Sequence, residues 1–448
     1  MNDPYLITEK SIQEPPLSFF GKLKFLGPGF ILSASIVGSG ELIATTVLGA
    51  KAGFTALWVI ILSCLVKVAV QLEFGKHAIL TGESCMTAFN KLPGISFSKA
   101  KWSLWIVFLI LLPKIIQVGG ILGAAAVVLN MLFSGIPIQI WALIAAFLTA
   151  LLIYQGNYNR VEVISLLMIA LFTILTLTSL ISLQFTKYHF TWAEVASGLG
   201  FHISSDLILF AIGAFGITGV ASDEIIAYNY WCIEKGYAAY TGKFDDTPTW
   251  KQRAKGWINI MFLDATVSMV IYTTVTVSFY LLGAAILHKR QEIPLGNEVI
   301  ETLALIYTQT LGVWVKNIYL IGAFFVLFSS LYAALAAWTR LLTDLFGHFG
   351  WIDFWNIKQR KKIADFLAWI LPTIWAITYL FINLPVLMVL SGGIAGSILL
   401  FLVVFAAYDF KYRRKQVIQS SFIYTLAFWV SVLSILLVGI YGIVILFG

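Results

Sequence analysis

The sequence predicts an all-α polytopic membrane protein of about eleven spanning helices, built as two inverted five-helix repeats with one helix added. Three observations carry this expectation. The 448 residues are 60% hydrophobic and only 11% charged, against about 25% charged in ordinary soluble domains. Apolar runs of about 18 residues or more recur along nearly the whole chain, each long enough to cross a bilayer. A polar motif in the first run, Gly38-Ser39-Gly40-Glu41, is echoed in the sixth by Ala221-Ser222-Asp223-Glu224.

Taken in order, the runs place helices at roughly 26–49, 54–80, 103–132, 136–155, 160–184, 205–232, 257–287, 310–346, 364–382, 384–408 and 420–447. Residues 1–25 form a polar tail, 26–184 the first repeat, 205–408 the second, and 420–448 the additional helix. Most of the 29 Lys and Arg residues fall on one side of this arrangement: the tail, the loops after the second, fourth and sixth helices, the connection between the eighth and ninth, and the loop after the tenth. The opposite side holds Lys51, Lys187, Lys289, Arg290 and Lys316. The positive-inside rule therefore puts the N-terminus in the cytoplasm and the C-terminus outside the plasma membrane. The net charge of +7 is mostly this topology signal, so nucleic acid is not an expected partner. The lipid bilayer and a small ion or solute are. Nothing specifies an oligomer, and a monomer is compatible with the reading.

The polar start, MNDPYLITEKSIQEPP, has no apolar core of a signal peptide. Cys64, Cys85 and Cys232 are too few and too scattered for a disulfide framework or a metal cluster. No Walker motif is present. No catalytic soluble domain fits between the spans, which argues for a transporter and against an enzyme. The polar stretch DDTPTWKQRAKGW (245–257) reads as a solvated loop.

Aligning the echoed motifs pairs Ser39 with Ser222, Glu41 with Glu224, Ile43 with Ile226 and Ala44 with Ala227. The first helix of the first five thus matches the first helix of the next five. An odd number of helices per repeat inverts the second copy, which is the plan of leucine-transporter-type carriers. In that plan both matched helices are discontinuous and their breaks form the substrate site near the midplane. Gly38-Ser39-Gly40 is a plausible break, since glycine frees the backbone. Gly213, Gly216 and Gly219, with Thr218 and Ser222, place the second anywhere from 216 to 222.

Four segments in order resemble the Nramp family of proton-coupled divalent-metal importers, and the likeness covers most of the chain. They are LGPGFILSASIVGSGELIATTVLGA (26–50), ALWVIILSCLVKVAVQLEFGKHAILTG (56–82), GILGAAAVVLNMLFSGIP (120–137) and DATVSMVIYTTVTVSFYLLGAAILH (264–288). The resemblance aligns the family's Asp-Pro-Gly-Asn break with Gly38, Ser39, Gly40 and Glu41, so its aspartate ligand becomes Gly38 and its asparagine ligand Glu41. Its Met-Pro-His falls on Ile217, Thr218 and Gly219, or on Ala221, Ser222 and Asp223; the repeat favours the second register. Either way the thioether is gone. Gln117 and Gly120 stand near the family's helix-3 acids. The chain therefore resembles an outlying branch. A site of carboxylates, hydroxyls and carbonyls suits hard ions such as Mg²⁺ or Mn²⁺. Gly38 and Ala221 also leave room for a larger, organic substrate.

Intramembrane acids are functional by default. Glu41 and Glu224 are the expected metal ligands. Gly38, Ser39, Gly40, Thr218, Ala221 and Ser222 complete the substrate-binding set. Asp223 is the expected proton carrier, and Lys114 a candidate internal cation that neutralises Glu41, Asp223 or Glu224. Against this, Glu41 could simply cap a half-helix at its positive end. Lys67 reads as a snorkelling side chain or a static buried pair. Asp264 and Asp206 read as structural acids that satisfy backbone amides. The expected function is secondary-active transport of a hard divalent cation, proton-coupled or uncoupled, with no permanently bound cofactor. The alternatives are a carrier of a small organic solute and a non-transporting sensor or scaffold.

Overall fold

Inside a bilayer the backbone has no water to bond, so each apolar run must satisfy its own N–H and C=O groups as helix. The computed structural model describes residues 3–38, 40–154, 158–291, 301, 308, 316–413 and 418–447. Ser39 lies outside them. Among the described residues, nine helices are long and apolar enough to cross a membrane. A tenth span is a bent pair, α1 (Pro28–Ile36) followed by Gly40–Ala52, which turn by 40° at the break. The last part of that segment is α2 (Thr46–Ala52). The second helix comprises α3 (Leu57–Val66) and α4 (Val68–Thr81), joined at Lys67. It is followed by α5 (Trp102–Leu132), α6 (Ile138–Ile153) and α7 (Tyr158–Leu183).

The second repeat opens with α8 (Ile208–Ile217) and α9 (Ser222–Lys235). Then come α10 (Pro248–Leu282), α11 (Lys316–Phe349), α12 (Ile357–Ile382), α13 (Pro385–Tyr408) and α14 (Phe422–Phe447). A two-stranded hairpin, Ser96–Phe97 with Ala100–Lys101, precedes α5. The expected run at 136–155 is present as α6, but its 16 residues extend about 24 Å. The hydrocarbon core is about 30 Å thick. It is thus a shorter apolar helix among ten full spans.

Residues 245–257 depart from the expected loop. The Thr247 hydroxyl accepts the Trp250 N–H at 3.3 Å, and Pro248 opens α10. A hydroxyl cap followed by proline is a helix start. Trp250 and Trp257 are buried on it.

The helices sort their faces as a bundle in lipid requires. On α7, Val161, Ser165, Ile169, Phe172 and Thr176 recur at three- and four-residue spacing and are buried, while Leu167, Leu171 and Ile174 are exposed. α5 lies across the middle, packed on α11, α12 and α13. α8 meets α13 through small residues: a Cβ on Gly216 would overlap the Gly393 carbonyl. Such contacts let membrane helices approach at backbone distance.

Candidate substrate site at the paired helix breaks

α1 stops at Ile36, and the chain resumes at Gly40 in wide turns that run to Thr45. Glu41 therefore sits in the first turn of the second half-helix. It is fully buried. Its Oε1 accepts the Thr276 hydroxyl of α10 at 3.1 Å, and its Oε2 has no hydrogen-bond partner. Gly38 faces α11 so closely that a Cβ would overlap the Ser330 hydroxyl.

The second break runs from Thr218 to Ala221. Both of these residues are extended, and Gly219 between them has φ +60°. A side chain at Gly219 would be strained by that angle and would also press on the Cys64 backbone. α9 then begins at Ser222, and Glu224 reaches back so that Oε2 accepts the Ala221 N–H at 2.7 Å. Its Oε1 accepts the Ser35 hydroxyl of α1 at 2.6 Å. This carboxylate joins the two breaks. Adjacent helical residues point about 100° apart, and Asp223 accordingly reaches the same space from another direction, turned towards α5 and α11. The Lys114 ammonium of α5 donates to Asp223 Oδ1, and the Trp338 indole donates to Oδ2 at 3.3 Å.

Between these elements lies a cavity of about 40 Å³. Its polar wall is Ser35, Gln117, Asp223, Glu224 and Ser330. Gly40 and Ala221 supply backbone, and Ile36, Val118, Ile121, Ile217 and Ala334 the apolar side. The Oε1 of Gln117 is buried without a partner. The volume matches one to a few waters.

Of the residues expected at the site, Gly40, Ala221, Asp223 and Glu224 line the cavity, and Lys114 holds Asp223. Glu41 stands outside the lining, against Thr276. The Thr218 hydroxyl donates to Ser63 Oγ and to the Ala214 carbonyl, both at 2.9 Å. Ser222 Oγ is buried with no partner. Among the described residues, no group of three or more His, Cys, Asp or Glu side chains is placed to hold a metal ion.

Lys67 does neither of the things expected of it. It is fully buried, so it does not snorkel, and it pairs with no carboxylate among the described residues. Its ammonium donates to the carbonyls of Phe215 and Thr218, at 2.6 Å each. Asp264 satisfies amides, as expected, but those of another helix: it accepts from Gly27 N at 2.8 Å and Gly29 N at 2.6 Å, at the start of α1. Sequence reasoning missed Ser35, Ser330, Thr276 and Trp338. The adjacent hydroxyls of Ser329 and Ser330 inside an apolar run were the available signal for one of them.

Residues 29–445 match the profile of the family described as natural resistance-associated macrophage protein-like. The divalent metal cation transporter MntH of Brucella suis biovar 1 (strain 1330) is 25% identical over 278 residues, covering 59% of this chain and 55% of that protein. This chain therefore spans just over half the length of that curated relative. Among solved structures, the manganese transporter of Eremococcus coleocola, in complex with an aromatic bis-isothiourea compound, superposes with a TM-score of 0.64 at 16% identity. That match covers 96% of this chain and 89% of the transporter. MhsT in complex with L-phenylalanine superposes with a TM-score of 0.60 at 15% identity, covering 95% of this chain and all of MhsT. At these identities the likeness is one of fold, and the fold is of the leucine-transporter type.

Proposed function

The chain belongs to the natural resistance-associated macrophage protein-like (Nramp) family, and on that premise we propose that it is a secondary-active carrier of a hard divalent cation, Mg²⁺ or Mn²⁺. It works in the plasma membrane, N-terminus in the cytoplasm, by alternating access around the two breaks. One observation carries the reading: the polar wall of the central cavity offers oxygen donors and no sulfur, with two carboxylates side by side on α9. Oxygen ligands suit hard ions, and a manganese transporter shares the fold.

Glu224 and Asp223 make the first contacts with the ion, and Gln117, whose buried carbonyl oxygen lacks a partner, adds a third. An ion held by these three side chains keeps part of its hydration shell, as Mg²⁺ does. Lys114 supplies the counter-charge. It holds Asp223 while the cavity lacks a cation and yields it when one arrives, so Asp223 is not left uncompensated when the empty site returns. Glu41 is reassigned from metal ligand to proton carrier, because it lies outside the lining, buried, with one oxygen unpartnered.

The test is isothermal titration of the purified protein with Mg²⁺, Mn²⁺ and Ca²⁺, joined to uptake in vesicles across a pH gradient. Glu224→Gln weakens binding at least about tenfold, the scale of one lost charged contact. Glu41→Gln leaves binding within a few-fold but removes the dependence of uptake on the proton gradient. If no divalent ion binds the wild type, the metal reading is wrong. The Lys114–Asp223 pair then favours the second reading, a small organic solute whose amine takes the place of Lys114 on Asp223.

A further inference from the structure

Lys67 is not part of the cavity's lining; it stands at the joint between α3 and α4, and the proposed transport cycle makes no use of it. What surrounds it is unusual for a lysine in a membrane protein. Its two close partners are the carbonyl oxygens of Phe215 and Thr218, at 2.6 Å. Both belong to the end of α8, where the break strips the last carbonyls of their helical partners and the half-helix presents its negative pole. The Ser63 hydroxyl approaches the same two oxygens, at 3.0 and 2.8 Å, and accepts from the Thr218 hydroxyl. The Phe215 ring closes one side, its centroid 4.8 Å from the ammonium. The charged side chains that face Lys67 are Glu224, Glu41 and Lys114, none of them within ion-pairing distance.

Neutral carbonyl oxygens converging on one point, backed by a helix C-terminus, are the ligands a dehydrated monovalent cation takes. Here the cation is covalently attached to the neighbouring helix. We infer that the break in the sixth helix forms a monovalent-cation site, built from Phe215 O and Thr218 O with the Ser63 hydroxyl bracing both, and that the Lys67 ammonium fills it permanently. Two consequences follow. The wild-type protein needs no free sodium or potassium ion at this break. Removing the amine uncovers a vacancy that a small cation can fill. A plain structural lysine differs at the second point: its loss would be repaired only by another side chain.

The experiment uses the full chain in detergent with divalent ions excluded, so it reads the lysine site whatever the transported substrate proves to be. Thermal unfolding is followed in sodium chloride, methylammonium chloride and choline chloride at matched ionic strength. The wild type is expected to show the same midpoint in all three. Lys67→Ala unfolds several degrees lower in choline and recovers with increasing Na⁺ or methylammonium along a saturating curve. Lys67→Met is destabilised and not rescued, because its side chain occupies the vacancy without charge. A saturable Na⁺ effect on the wild type overturns the inference, and this arm decides even if Lys67→Ala cannot be purified in choline. So does a Lys67→Ala protein that neither small cation stabilises beyond choline, or a Lys67→Met protein rescued equally well.

Discussion

At Gly38 the packing leaves no place for the aspartate that the resemblance to metal transporters puts there. The space is taken by Ser330 of α11, whose hydroxyl also donates to the Ser35 carbonyl at 2.8 Å. Gly38→Ala is expected to lower stability by about 1–3 kcal/mol, the usual cost of forcing a methyl into a packed site. Gly38→Asp is expected to cost more, and combining either with Ser330→Gly restores part of the loss. Denaturation midpoints of the four proteins check this, and equal losses with and without Ser330 would remove the steric explanation. Much of the residue chemistry was legible: Glu41, Asp223 and Glu224 stand out as charges in apolar runs, and Lys114 was a candidate partner for one of the three; which one it takes, Asp223, comes from the packing. The site of Lys67 was not legible, because its partners are backbone carbonyls, which carry no mark in a sequence. Whether Gly38 made room for a substrate or for a neighbouring helix was equally hidden, since the neighbour is supplied by a segment far along the chain.

The two discontinuous helices were read from their glycines and from the echo of Ser-x-Glu, and both breaks fall within the expected segments. What positions them comes from other elements. α1 begins with Gly27 and Gly29 amides held by Asp264, and Tyr228 of α9 donates to the same carboxylate at 3.3 Å. One acid on α10 thus ties the first half-helix of the first broken span, α1, to the second half-helix of the other, α9. Asp264→Ala strands two buried N–H groups and is expected to cost about 2–4 kcal/mol. Asp264→Asn keeps one good acceptor and is expected to cost about half as much, as urea or thermal titration would report. An effect of Asp264→Ala under about 1 kcal/mol would mean that α1 holds its place without this cap. The sequence reading took Asp264 for an acid that serves amides, but a sequence does not say which helix an acid at a helix face will serve.

Across the molecule, the polar tail is part of the fold. Tyr5 donates to Glu234 at 2.9 Å, beside the paired bonds from Arg340 at 2.7 and 2.8 Å, and Asp3 takes Arg360 at 2.7 Å. Further on, the Trp257 indole donates to the Gln13 carbonyl at 2.9 Å, and Arg253 meets Glu14. The tail thus laces α9, α10, α11 and α12 together at one end of the bundle. Near that end, Glu83 lies between His77 and Lys91. Partial burial works against its charge, but the hydrogen bonds from His77 and Lys91 outweigh it and hold the carboxyl down at about 2. A carboxyl lowered on folding adds stability above its unfolded value, near 4.5, and loses it as pH falls towards the folded one. Glu83→Gln should therefore destabilise the protein by ~1–2 kcal/mol at pH 7, allowing for solvent screening. The gap to the wild type narrows between about pH 4.5 and 2. A gap independent of pH would assign the effect to packing. The Ser35 hydroxyl and the Ala221 amide both end on Glu224, and this arrangement bears on leakage. A visitor that does not engage that carboxylate leaves the two half-helices clasped. One that does must take over the bonds that clasp them, so under the proposed function recognition and release are the same act, and an empty carrier would have no separate bolt to slip.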